Sequence, residues 1–305
     1  ARARQMLDVY KNFAEKYMAI PVVPGQKSES EKFAGALHTY TCEAMMQDGK
    51  ALQFATSHNL GDHFAHAFNI QFTDENNELQ YGWQTSWGLS TRSIGGLIMT
   101  HSDDKGLVLP PKMASIQAVI VPILNGKEDD TLVLEKTKAI AGDLIAKSVS
   151  TKVDDRLLRP GEKFYEWERK GVPLRIEIGP KDLAANQAVL VRRDTGEKET
   201  VPLDALTDRV EQMLETIQKS LYEKALQLRM QRTKTLDNWD EFVPAIEEGN
   251  FVLAHWDGTK ETEALIKEET GATIRCIPFE GESEAGVCIR SGKPSTRRVI
   301  FAKAY

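Results

Sequence analysis

Apolar positions at the start of the chain recur at helical spacing. Met6, Leu7, Tyr10, Phe13, Ala14 and Tyr17 predict a helix over 4–18, which Pro21 and the Pro24-Gly25 pair stop. The period then shortens to that of strands. Segments 36–46 and 51–57 flank Asp48-Gly49, a hairpin signal. A short helix follows at 60–68, with Leu60, Phe64, Ala67 and Phe68 on one side. Strands at 70–73 and 79–87 enclose the polar turn TDENNE, and the stretch from Arg92 to Thr100 reads as a buried helix holding Gly95 and Gly96. The whole segment is β-rich with antiparallel connections and one helix packed behind.

At 107–113, LVLPPKM, the pattern changes. Strands at 116–123, 149–154, 173–178 and 187–193 alternate with helices at 129–147 and 161–170 and a helix start near Asp182. That alternation predicts a small α/β domain with a parallel or mixed sheet. Residues 203–232 form one long amphipathic helix striped by Leu206, Val210, Leu214, Ile217, Leu221, Ala225 and Leu228. A last α+β unit runs from about 236 to 305. The chain has no internal repeat and no low-complexity segment.

A length of 305 residues favours two or three domains and is ample for a core without disulfides. With 41% hydrophobic and 28% charged residues and a net charge of −6, the chain is neither disordered nor a histone-like polycation. Local contact with nucleic acid stays open, because phosphates need a basic patch and not a basic total. Cys42, Cys276 and Cys288 form no framework and fit a reducing cytosol. No apolar run approaches the ~20 residues of a membrane helix. The opening ARARQMLDVYKNF is not a signal peptide and lacks an initiator Met. The expectation is that the chain starts inside a larger protein.

The stretch richest in candidate chemistry is YGWQTSWGLSTRSIGGLIMTHSDDKG at 81–106. A strand ends at Trp87-Gly88, and Arg92 sits in the first turn of a helix. An arginine at a helix N-terminus beside a glycine suits a polyphosphate, although Arg92 equally suits a surface ion pair. In KALQFATSH at 50–58, Gln53, Thr56 and His58 place polar groups at one end of a strand. The polar loop PGQKSESEKFAGA at 24–36 reads as a flexible lid. His58, His63 and His66 cluster without the carboxylate or cysteine company a metal needs. His101 with Asp103 and Asp104 is explained by a helix end and a turn at Lys105-Gly106.

The strings EKFAGA, ALQFATSHNLG, QTSWGLSTRSIGGLIMTHSDD, GLVLPP and GEKFYEWERKGVPLRIEIGPKDL, continuing to the terminal FAKAY, resemble prolyl-tRNA synthetases of the archaeal and eukaryotic type. The resemblance covers essentially the whole chain. It implies a multidomain α+β and α/β protein: part of a class II antiparallel-sheet catalytic domain (1–113), an α/β anticodon-binding domain (114–202), a linking helix (203–235) and a small α+β C-terminal domain (236–305). The implied chemistry is condensation of L-proline with ATP, accompanied by Mg²⁺, to prolyl-adenylate, and transfer of the prolyl group to tRNA(Pro). The implied context is a cytoplasmic homodimer in full-length form, with no membrane contact.

By the same resemblance, Arg92 in the third class II motif at 85–99 meets the ATP triphosphate, Ser90 lies beside the nucleotide, and Gln53 and Thr56 make further ATP contacts. Phe33, His58, Trp87 and Gly88 match the proline pocket; flat aromatic walls suit a small apolar ring. Phe164, Glu168, Arg175 and Lys181 match positions that meet the anticodon. An aromatic can stack a base, a carboxylate can accept from guanine N1 and N2, and basic groups can reach guanine acceptors and phosphates. Phe164 also reads as a core residue, and Glu168 and Lys181 as a solvated face.

Two departures matter. The family's first two class II motifs, which build the dimer interface and supply an arginine to the α-phosphate, match nothing in this chain, so the 305 residues alone are expected to be inactive. The family's four-cysteine zinc positions correspond to Asp257, Thr262, Cys288 and Ser291, a set unsuited to structural zinc; no metal site is expected. The alternative reading is a non-catalytic tRNA-binding fragment or paralogue. A different class IIa synthetase, threonyl or histidyl, conflicts with the aromatic set Phe33 and Trp87.

Overall fold

The computed structural model describes residues 1–124, 126, 129–281 and 283–305. Its first elements are α1 (Arg2–Lys16), β1 (Val22–Gln26), β2 (His38–Met45), β3 (Ala51–Gly61), α2 (His63–Phe68), β4 (Gln71–Thr73), β5 (Leu79–Tyr81), β6 (Gln84–Gly88) and α3 (Arg92–His101). The middle of the chain gives β7 (Ala118–Pro122), α4 (Asp129–Ala146), β8 (Thr151–Val153), α5 (Pro160–Arg169), β9 (Leu174–Ile178), α6 (Pro180–Ala184), β10 (Gln187–Arg192), β11 (Lys198–Pro202) and α7 (Leu206–Gln231). The last part gives β12 (Thr233–Thr235), α8 (Trp239–Glu247), β13 (Phe251–His255), α9 (Lys260–Thr270), β14 (Thr273–Pro278), β15 (Gly286–Val287), β16 (Pro294–Ser295) and β17 (Arg298–Ala302).

Two compact units result: one of residues 1–16, 20–100 and 225–305, the other of residues 17–19 and 101–224. The first contains a sheet in the order β12-β13-β17-β14-β1-β2-β3-β6. The segment 236–305, expected as a domain of its own, instead adds its strands to the sheet begun by the N-terminal segment. The seam is the antiparallel pair β1–β14, with Gly25 opposite Pro278 and Gln26 opposite Ile277. Sequence pattern hid β1, because Pro24-Gly25 reads as a breaker. Here the glycine is needed: a Cβ at Gly25 would lie 2.6 Å from the Ile277 carbonyl oxygen and 2.7 Å from the Cys276 Cβ.

α1 lies on one face of this sheet, anchored where Ser57 Oγ donates to the Ala3 carbonyl at 2.7 Å. It buries Ala3, Leu7 and Ala14, a stripe at helical spacing. The expected strand 79–87 divides at Gly82-Trp83: β5 pairs with β4, whereas β6 pairs with β3. The expected helix 60–68 begins only at His63, because β3 continues to Gly61.

The second unit holds a mixed sheet in the order β11-β10-β9-β7-β8. β7 pairs parallel with β8 and β9, whereas β10 pairs antiparallel with β9 and β11. β11 escaped the sequence pattern because Lys198, Glu199 and Thr200 are polar. The stripe Leu206, Val210, Leu214, Ile217 and Leu221 is buried in this unit's core with Ile120, Leu174, Ile176 and Leu190. The part of α7 expected as a linker is therefore core-forming through Leu221. Among the described residues, no helix is long and apolar enough to cross a membrane.

Candidate functional site

The register of β2 against β3 assembles the first site. Cys42 faces Ala55 while Glu43 faces Gln53, so Phe54 is the extra residue of a β-bulge. Without the bulge, Gln53 would alternate to the face opposite Thr56 and His58. With it, Gln53, Thr56 and His58 share a face with their partners Glu43, Thr41 and Thr39. β6 extends this face with Gly88 opposite Thr56 and Ser86 opposite His58.

Around that face the aromatic corner is formed by Phe33 and His58, with ring centroids 5.1 Å apart. Thr39 Oγ1 accepts the Phe33 N–H at 2.9 Å and lies 3.0 Å from His58 Nδ1. Partial burial holds the His58 pKa below the usual histidine range, in keeping with a neutral ring.

Arg92 opens α3 with its guanidinium exposed, and Nη1 donates to the Gln53 carbonyl at 3.4 Å. Ser90 supports the helix start: its Oγ accepts the Arg92 N–H at 3.3 Å and its carbonyl accepts from Ser93 Oγ at 2.9 Å. A Cβ at Gly88 would meet nothing within 4 Å, so the strand end is open to an approaching group. Trp87 does not join Phe33 and His58. It sits opposite Ser57, on the sheet face that carries α1, so it cannot wall the same corner.

A buried ionic cluster under this face was not visible in the sequence. Glu43 accepts from Lys27 Nζ at 2.8 Å and Thr41 Oγ1 at 2.7 Å through Oε1, and from Arg275 Nε and Nη2 at 3.0 and 2.9 Å through Oε2. Two cations and one carboxylate leave a net positive charge beside Gln53. The 24–36 segment is no free lid at its start: residues through Gln26 are strand, and Lys27 and Ser28 are buried.

In the second unit, Phe164, Trp167, Glu168, Arg175, Arg193 and Lys198 line a cavity of about 310 Å³. The Arg175 guanidinium lies 4.2 Å from the Phe164 ring centroid and pairs with Glu177 at 2.9 Å. Glu168 faces Lys105 at 3.3 Å. Trp167 is fixed by its Nε1–H bond to Asp154 Oδ2 at 2.7 Å. Arg156 beside Asp154 holds that carboxyl well below the ordinary carboxylate range. Lys181 stands apart, exposed on α6, and is not among the residues that line the cavity. Lys105, Arg193 and Lys198 were missed because they come from loops and strand ends with no motif around them.

The four zinc-like positions behave differently from a thiolate site. Asp257 Oδ2 accepts from Ser291 Oγ at 2.7 Å and Thr262 Oγ1 at 2.8 Å; burial works to raise its pKa, but the bonds from Ser291, Thr259 and Thr262 outweigh it and hold the pKa below its ordinary value. Cys288 is buried. One thiol with hydroxyls already bonded to the carboxylate does not fit structural zinc. The histidine cluster is likewise engaged: His63 Nδ1 lies 3.1 Å from the Gly35 carbonyl and His66 3.4 Å from Asp62. His101 ends α3 and bonds the Met18 carbonyl at 2.8 Å, while Asp103 pairs with Arg193.

Comparison with known proteins agrees with both units. Residues 117–213 match the family model described as anticodon binding domain, and residues 239–305 match the one described as prolyl-tRNA synthetase, C-terminal. A proline–tRNA ligase of Phocaeicola vulgatus is 55% identical over 309 residues, covering 100% of this chain and 62% of the relative. Those of Bacteroides fragilis and Chlorobaculum tepidum are each 56% identical, over 99% of this chain and 62% and 64% of their own lengths. The chain thus spans a little under two thirds of these curated relatives. It belongs to the prolyl-tRNA synthetase family, of which it represents a C-terminal portion.

Proposed function

We propose that the full-length protein activates L-proline with ATP to prolyl-adenylate and transfers the prolyl group to tRNA(Pro). The observation that carries this reading is the single face on which a bulge aligns Gln53, Thr56 and His58 beneath Arg92, with Phe33 at one end and an open strand end at Gly88. The Phe33–His58 corner suits the pyrrolidine ring. Gln53 and Thr56 offer polar groups to the nucleotide, with Ser90 nearby. A proline carboxylate oxygen bonds to the α-phosphorus as the bond to the pyrophosphate oxygen breaks. The charge that builds on the departing pyrophosphate is met by the Arg92 guanidinium, and Mg²⁺ bound with ATP supplies further neutralisation. In the second step the prolyl carbonyl passes to a terminal ribose hydroxyl of the tRNA, and AMP leaves.

The cavity of the second unit suits a nucleobase: Phe164 for stacking, Glu168 for the guanine N1 and N2 donors, Arg175 for acceptors. Lys181 lies outside it and fits a backbone phosphate better than the same base. The reading includes no zinc, on the donor set given above. It also takes the full-length protein as a cytoplasmic homodimer, to which the three buried free cysteines are suited.

The test is proline-dependent ATP–pyrophosphate exchange. Full-length protein is expected to exchange, and the 305-residue chain alone is not. Arg92→Ala in the full-length protein should lose about a hundredfold or more in rate at unchanged melting temperature. A mutant as active as wild type would show that Arg92 is only a surface cation. Full-length protein that binds tRNA(Pro) without any exchange would favour the non-catalytic tRNA-binding alternative.

A further inference from the structure

The loop between β1 and β2 carries Phe33, which is half exposed, yet the loop's first residues are buried. Lys27 is held from below by Glu43. Ser28 is 2% exposed, and its Oγ donates to Oε1 of Glu263 on α9 at 2.7 Å. Glu263 is itself 6% exposed. Glu263 Oε2 has no hydrogen-bond partner among the described residues, so the grip rests on Ser28. A turn is built on that fixed serine. Its carbonyl accepts the Glu31 and Lys32 N–H groups at 3.2 and 3.0 Å, and its Oγ accepts the Glu31 N–H at 3.3 Å. The turn delivers Phe33, whose N–H reaches Thr39 Oγ1 and through it His58.

Burying a carboxylate is costly unless it is well bonded. Burial indeed pushes the Glu263 carboxyl above its ordinary range. A plain hydrophobic contact would close the same space at lower cost. What the carboxylate adds is direction, since it selects one position of Ser28 and hence of the turn.

We infer that Glu263 is a positioning residue: from the C-terminal segment it latches the substrate loop through Ser28, so that Phe33 stays against His58. The inference rests on the reading of Phe33 and His58 as the amino-acid corner. It gives the segment 239–305 a role in amino-acid binding that its match to a family model does not describe. Glu263 touches no reacting atom; it acts through the loop.

Two measurements on full-length protein separate the latch from that reading. Amide hydrogen exchange of residues 28–36 reports the loop directly, and Glu263→Ala should speed it while leaving the strands of the same sheet protected. In pyrophosphate exchange, Glu263→Ala should raise the proline KM about tenfold, the scale of a lost hydrogen bond to a charged group, with the ATP KM little changed. Glu263→Gln keeps an acceptor for Ser28 and should restore most of the proline affinity. If Glu263→Ala does not fold, Ser28→Ala removes one hydroxyl and should give the same pattern. Loop exchange equal to wild type in these variants would overturn the latch. A loosened loop with an unchanged proline KM would support the latch and overturn the assignment of Phe33 to the amino-acid corner.

Discussion

The β3 face and the cavity beneath α5 both gather polar side chains around an aromatic ring, but they are assembled in opposite ways. The cavity draws most of its lining from one run, Phe164 to Lys198, in which a helix and the next three strands lie close in sequence. The β3 face combines Phe33, Thr39, Glu43, Gln53, His58 and Arg92 with Arg275, which is 232 residues from the Glu43 it binds. The cavity's pair of Glu168 with Lys105 is partly exposed, whereas Glu43 and its partners Lys27 and Arg275 are buried. A site built from local sequence can tolerate loss of one ion pair. A site built across the chain depends on the pair that joins its distant parts.

The sharpest way to break that contrast is Glu43→Ala. It would leave Lys27 and Arg275 buried without their carboxylate, which typically costs about 3–5 kcal/mol. Urea unfolding should show the loss in the unit that contains the face. Glu168→Ala, in the partly exposed pair with Lys105, should leave stability within about 0.5 kcal/mol. If both variants unfold alike, the two sites are not built differently in energetic terms.

How much of this was legible follows from the same contrast. The helices and strands of 118–192 appeared in the sequence because their periodicity is local, and Phe164, Glu168 and Arg175 line one cavity. The bulge at Phe54 was not legible: one extra residue changes no hydropathy pattern, yet it decides that Gln53 faces with Thr56. β1 was hidden by Pro24-Gly25, and its partnership with β14 spans most of the chain. Trp87 shows the limit of motif reading. It stands next to Gly88, but strand alternation sends it to the α1 face. Glu43, Lys27 and Arg275 carry no spacing signal, so only tertiary pairing reveals them.

A smaller effect sharpens the functional side of the comparison. Glu168→Ala in full-length protein should weaken tRNA charging by about 1–3 kcal/mol, roughly tenfold to a hundredfold, and relax the preference for guanine over adenine in the anticodon. Proline-dependent pyrophosphate exchange should barely change, because Glu168 is not among the residues proposed for that step. A mutant that still prefers guanine as strongly as wild type would reduce Glu168 to a surface carboxylate. Lys181→Ala, outside the cavity, should lower affinity without changing base preference, as expected for a phosphate contact.

The smallest expected effect concerns two histidines, one in each unit. His58 is half-buried beside Thr39, and its pKa is only lowered. His101 is 6% exposed, and burial pushes its pKa down to about 4 despite its bond to the Met18 carbonyl. Between that value and the ordinary histidine range, the unfolded chain binds a proton that the folded chain refuses. Stability therefore rises with pH in this window and is lost as pH falls from about 6.5 toward 4. At about pH 5.5 the loss from His101 should be on the order of 1 kcal/mol relative to neutral pH. His101→Gln keeps a donor for the Met18 carbonyl and removes the titration. Urea midpoints of wild type and variant, compared at neutral pH and near pH 5.5, subtract every other titrating group. The wild type should lose more on acidification than the variant. Equal losses would mean that the folded protein accommodates a charged His101, and that this corner of the second unit is more open to water than its burial indicates.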